Sequence, residues 1–313
     1  MIVTRADHES ALAAVRASAH DPREGILGPR SITWRIGGDI GLLLGGGRAA
    51  LLQLAHPMVA YAIHDHSRTR EDVVGRFQRT FRHVFAMLFG DLDDAITAAR
   101  RVYAIHMRIH GTLPISIGGY AAGTPYHAND VAALRWVHAT LVDTALLVRE
   151  RLDGALSLAV KDRYVVELNR FAALFGIPDA QLPHSYLAHA SYMSDMLSGD
   201  RLAVAPCARE MAHFLIGRAG TPKQPVLGRI TEAITHALLP PRLAADFHLR
   251  GTPLRTRAGL SAFARLYRHL PRPLVEMPAV SAARRRIAGH APSWLGAWTE
   301  RTLFGLAHRT TGS

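Results

Sequence analysis

The sequence predicts an all-α fold, and three observations carry that expectation. Apolar residues recur at three- and four-residue spacing in one segment after another. Capping and stopping residues stand where those segments begin and end. No run of five or more residues alternates apolar and polar side chains as a half-buried strand does. The 313 residues, 49% apolar, contain no internal repeat, no low-complexity linker and no sharp shift of composition. They read as a single multi-helix domain over 1–313, near the upper size for one core.

The elements follow in order. His8 to Ala19 is helical and stops at Asp21-Pro22; residues 23–33 read as a loop. Trp34–Leu44 and Arg48–Ile63 form a buried pair joined at Gly45-Gly46-Gly47, with Pro57 kinking the second. Thr69 caps a helix that runs to Phe89 and stops at Gly90. Asp91 caps the next, which runs to about His110. Residues 112–128 are rich in Gly and Pro and read as a loop with a short extended piece. Asn129 or Asp130 caps a long helix to about Leu152, and another spans Ser157 to Phe175. Further helices are expected at 184–198, Pro206–Leu215, Val226–Leu238, Pro241–Phe247, Ala258–Tyr267 and Val275–Ala288, with a loop at 217–225.

Composition narrows the function classes. A single cysteine, Cys207, excludes an intramolecular disulfide and a cysteine-only metal cage, which favours a cytoplasmic protein. The first residues, MIVTRADHESALAAVR, lack the basic start and apolar run of a signal peptide. The net charge of +12 comes almost wholly from arginine, since only Lys161 and Lys223 are lysines. No nucleic-acid-binding motif accompanies that charge, so a nucleic-acid partner is not expected. Residues 40–63 are apolar and long enough for a bilayer, which needs about 20 residues. Arg48 near the middle and the three glycines argue for buried helices instead. Peripheral membrane contact stays open.

The chemistry-bearing residues concentrate between Leu51 and Gly111, where histidine and arginine recur inside apolar segments. Such groups are costly to bury unless paired or ligated. On the 91–110 helix, Leu92, Ala95, Ala99, Val102, His106 and Ile109 share a face, so His106 points inward. A core histidine bonded to a carbonyl is the plainer reading; an axial metal ligand is the functional one. His138 faces inward with Leu134, Leu141 and Ala145. His56 stands among apolar residues before Pro57, and His66 precedes the next helix cap. Neither HExxH nor Glu-x-x-His pairs occur, which argues against a carboxylate-bridged di-iron bundle. In RFQRT at 76–80, Arg76 shares a helix face with Arg79 and Thr80, beside Phe77 and Phe81. That face is either solvated or poised near a bound oxygen species or propionate.

Taken together, HPMVA at 56–60, DHS at 65–67, RFQRT at 76–80, LFG at 88–90, His106 five residues before Gly111, Tyr126-x-x-x-Asp130 and WVHAT at 136–140 resemble a known family. It comprises bacterial proteins related to rubber oxygenase (latex clearing protein). It also includes the catalytic domain of the fungal mycophenolic-acid-pathway oxygenase that cleaves a farnesyl chain. The resemblance spans about residues 30–270. It implies an all-helical fold with a globin-like core and haem b as cofactor. It further implies that His106 ligates the haem iron, that Arg76 and Thr80 lie near the haem, and that His138 supports the pocket. His56 and His66 match family positions and are expected beside the cofactor. Arg79 stands where rubber oxygenases carry a distal lysine. Positions 58–63, MVAYAI, lack the glutamate base of rubber cleavage, which argues against polyisoprene itself as substrate.

The expectation is therefore a haem-b-dependent oxygenase acting with dioxygen on an apolar, isoprenoid or lipid-like substrate, with an electron donor that the sequence does not name. The alternatives are a non-catalytic haem- or lipid-binding protein, and a helical protein whose histidines are all core.

Overall fold

A computed structural model describes residues 1–66, 82–216 and 225–290. It is all-helical apart from one two-stranded hairpin. The helices are α1 Arg5–Ala17, α2 Ile32–Gly37, α3 Gly46–Leu54, α4 Pro57–His66, α5 at 82–89 and α6 Leu92–His106. Strands β1 His110–Thr112 and β2 Pro125–His127 pair antiparallel, Gly111 opposite Tyr126. Then come α7 Val131–Asp153, α8 Leu158–Ala173, α9 Tyr186–Ser198, α10 Pro206–Leu215, α11 Pro225–Leu238, α12 Pro241–Asp246, α13 Pro253–Tyr267, α14 Arg272–Val275 and α15 Pro278–Ile287.

Local chemistry explains most of the boundaries. Thr4 and Asp7 close a capping box that starts α1 three residues before the expected His8. Ser31, Asp91, Asp130, Ser157 and Ser185 each accept a backbone N–H at the first turn of their helix. Pro57 does not kink a continuous helix: it opens α4 at a first-turn position, where its missing N–H costs nothing. The expected Trp34–Leu44 helix is α2 followed by a 3-10 turn, Ile40–Gly45. Two of the three glycines do more than join segments. A Cβ at Gly45 would lie 2.5 Å from Thr144 of α7, and one at Gly47 would lie 2.1 Å from Thr235 of α11. They let the start of α3 press against both helices. The expected Val275–Ala288 helix begins three residues later, at Pro278 of α15, and Val275 instead ends the short α14.

Helix α7 runs through the middle, and the cores are arranged along it. Near its start, Trp136 is fully buried with α3, α4, α10 and α12, and its indole donates to the Leu52 carbonyl at 3.0 Å. At its centre, Val142, Ala145 and Leu146 meet α1, α2, α6 and α8. Val148 and Leu152 near its end meet Leu238 of α11 and Ala264 and Tyr267 of α13. By length and apolarity α7 could cross a membrane, but two thirds of its apolar window is buried inside the protein. Arg48, the arginine inside the apolar 40–63 run, is buried and fully engaged. It donates to the Leu238 carbonyl (2.9 Å), Thr144 Oγ1 (2.6 Å) and Asp143 Oδ2 (2.6 Å), tying α3 to α7 and α11.

Candidate functional site

The expected site residues fall into three groups: those around the hairpin, those inside α7, and those outside the described residues. Arg76, Arg79, Thr80 and the rest of RFQRT lie outside, as does the expected start of their helix at Thr69.

The hairpin gathers His56, His66 and His106. Helix α6 ends at His106, four residues earlier than expected, because the chain leaves to form β1. The His106 ring is half-buried, and its Nδ1 lies 3.2 Å from Asn129 Oδ1. Burial lowers its pKa to about 4, with the Asn129 bond opposing and neighbouring His127 adding to the fall. The ring is therefore neutral near pH 7, and with Nδ1–H donating to Asn129 the lone pair sits on Nε2. Asn129 is itself fixed at the start of α7, its backbone N–H donating to His127 Nδ1 at 2.9 Å.

His56 fills the junction between α3 and α4. It is buried, its Nε2 is 3.1 Å from the Tyr120 hydroxyl, and its Nδ1 has no partner. Burial lowers its pKa to about 4. His66, the last residue of α4, donates from Nε2 to the His110 carbonyl at 3.0 Å. Beside it Tyr126 donates to Asp65 Oδ2 at 2.5 Å, and burial together with that carboxylate raises the phenol's pKa. Gly111 makes room for this: a Cβ there would lie 2.5 Å from the Tyr126 hydroxyl oxygen. The His110 and His127 rings stack, with centroids 6.0 Å apart. The end of α4, the end of α6 and both strands thus form one histidine-rich layer.

His138 lies apart from these contacts. It is buried in the middle of α7, its ring 6.3 Å from Phe171, and its Nδ1 has no partner. Burial, then the neighbouring His189, lower its pKa to about 3. His189 Nε2 is 3.8 Å from Asp143 Oδ1, and Asp143 is the carboxylate held by Arg48. Burial pushes the Asp143 carboxyl up, but His189 and Arg48 bring it below the ordinary value.

Asn129, Tyr120, Tyr126, Asp65, His127 and the His189–Asp143–Arg48 chain were not singled out as site residues. Asn129 carried a signal only as a helix cap, and Asp65 and Tyr126 only as letters of two motifs. An apolar cleft of about 300 Å³ opens elsewhere, between the 3-10 turn, α11 and α13, and no expected site residue lines it. Among the described residues, no three His, Cys, Asp or Glu side chains converge as a metal cage.

The profile of one protein family, described as ER-bound oxygenase mpaB/B'/Rubber oxygenase, catalytic domain, matches residues 34–269. The chain belongs to this family. The match covers about three quarters of the 313 residues and agrees with the 30–270 read from the motifs. None of the curated proteins and none of the solved structures matches the chain. The matched region contains α3 to α13, the hairpin and every expected site residue, while α14 and α15 lie beyond it.

Proposed function

We propose that this chain is a haem-b-dependent oxygenase that uses dioxygen on an apolar, isoprenoid or lipid-like substrate. The observation that carries the reading is His106: a neutral imidazole at a helix end, its Nδ1 oriented by Asn129 so that the lone pair is on Nε2. A histidine whose second nitrogen is held by a carbonyl-type acceptor has the orientation and basicity of a metal ligand. The donor set suits haem better than a bare ion. The described residues offer no protein cage of three or more ligands, whereas a macrocycle brings four nitrogens and needs one or two from the chain. The Asn129 amide that faces His106 keeps its own buried Nδ2 without a partner, a polar atom left for a bound group to meet.

When bound, the haem would supply the dioxygen chemistry. The chain's residues would position and insulate it. His106 would hold the iron through Nε2, and Asn129 would keep the Nδ1–H tautomer. Tyr120 would hold the His56 ring at the α3–α4 junction. Arg76, Arg79 and Thr80 are proposed near the oxygen-binding side, with guanidinium N–H groups as the polarising donors. His138 would keep the centre of α7 packed and uncharged against the pocket. An electron donor completes the proposed set of partners.

The test is an absorption spectrum and iron measurement on protein expressed with haem precursor, followed by oxygen uptake with isoprenoid alcohols. A Soret band with near-stoichiometric iron is expected, and it should disappear in His106→Ala. Full haem retention with an unchanged Soret band in that variant would sink the ligand assignment. Haem binding without oxygen uptake would favour the non-catalytic binding reading, to which the absence of a glutamate at 58–63 also points.

A further inference from the structure

Helix α13 is apolar on two sides, and the core accounts for only one. Its inner side places Ala264 and Tyr267 among Val148, Leu152 and Leu238. On its outer side Leu254, Ala258, Ala262 and Leu266 follow at four-residue spacing, all exposed. Leu254 is 84% and Leu266 68% exposed. Exposed Leu270 and Leu274 continue the run beyond the helix. Beside it stand exposed Val226, Leu227 and Ile230 of α11 and Phe263 of α13. The 300 Å³ cleft is lined by Leu43, Leu227, Ile230 and Phe263 among others.

Charge discriminates among the possible occupants of this face. From Phe247 to Val275 there are six arginines and no aspartate or glutamate. Arg255 and Arg265 are exposed on α13 on either side of the leucine stripe, and Arg229 and Arg272 are exposed nearby. A second copy of the chain would bring the same arginines against these, a repulsive match. Nucleic acid would neutralise the arginines but leave the leucines in water. An anionic bilayer satisfies both, taking the leucines into the acyl boundary and the guanidinium groups to the phosphates. We propose that the outer face of α13, with the start of α11, seats this protein on anionic membrane surfaces. The proposal stands independently of the cofactor reading.

The experiment is co-sedimentation of the full chain with phosphatidylcholine vesicles, with and without phosphatidylglycerol. Binding should require the anionic lipid and weaken with salt. Leu254→Glu/Leu266→Glu and Arg255→Glu/Arg265→Glu should each reduce partitioning about tenfold or more. All four positions are exposed, so helicity and melting temperature should be unchanged. A second readout is Leu266→Cys carrying an environment-sensitive dye, with Cys207 buried and slow to label. Its emission should be water-like in the free protein and blue-shifted on anionic vesicles. Absence of binding to anionic vesicles, or binding indifferent to both double variants, would overturn the proposal. So would a dye already blue-shifted without lipid: at every concentration if residues 291–313 cover the face, or only at high concentration if a second copy does.

Discussion

Two inward histidines, His106 and His138, give the same signal in the sequence and occupy opposite kinds of place. His138 is buried within the long helix α7, against Phe171 and near the His189–Asp143–Arg48 chain. His106 ends a helix, is half-buried, and meets an amide that faces one of its nitrogens. The first environment selects for a neutral, packed ring; the second leaves a directed lone pair at the edge of the core. His8 supplies the ordinary case beside both: it is buried in α1 with its Nε2 donating to the Leu174 carbonyl at 3.0 Å. Periodicity says that a histidine faces inward. Only its position along the helix and its cross-chain partner say what it can do there.

The largest effect should separate the two histidines directly. His106→Ala should lower haem content tenfold or more, while His138→Ala should leave most of it, as read from the Soret band and iron. The reverse order would exchange their roles. Next comes the buried pair that distinguishes the α7 environment. Asp143→Ala strands the Arg48 guanidinium, whose side chain is 6% exposed. Breaking such a pair should cost about 3 kcal/mol, seen as a lower denaturant midpoint with little change in the absorption spectrum. An unchanged midpoint would mean that Thr144 and the Leu238 carbonyl suffice for Arg48. A smaller effect is expected from Asn129→Ala, which removes the group that orients His106. Haem affinity should fall about 10- to 100-fold, measured by haem transfer to an acceptor protein.

The last comparison is in pH. His56 and His106 titrate in the folded chain near pH 4 and His138 near 3, all depressed by burial. An unfolded histidine titrates at about 6.5. Between those values the unfolded chain binds protons that the folded chain does not, so stability is lost as pH falls from about 6.5 toward 4 and is level above it. In the haem-free protein, His138→Leu should make that acid slope shallower. Equal slopes in the two proteins would show that His138 is not neutral in the core.

Residues whose role is local were legible early. Asp91 and Ser157 as caps, Gly176 at positive φ as a stop, and Pro206 as the start of α10 all follow from one turn of chain. The end of α6 was not legible. His106 to His110 keeps a helical apolar pattern, and what stops the helix is β1 pairing with residues 125–127, supplied from beyond the next loop. Gly45, Gly47 and Gly111 looked like breakers; they are close approaches to Thr144, Thr235 and Tyr126. No spacing rule could join Asn129 to His106, because the contact crosses the hairpin.

By itself the sequence determined the all-α class, the length of α7, the inward direction of His106 and His138, and the family. These rest on 3.6-residue periodicity, capping chemistry and motif order, all short-range properties of the chain. The tertiary structure decided which histidine has an oriented nitrogen, that Arg48 is a tie rather than a charge in a span, and that α13 keeps an apolar stripe exposed among the described residues. Those depend on partners from 23 to 190 residues away in the chain, and distances of that kind are fixed only when the helices pack.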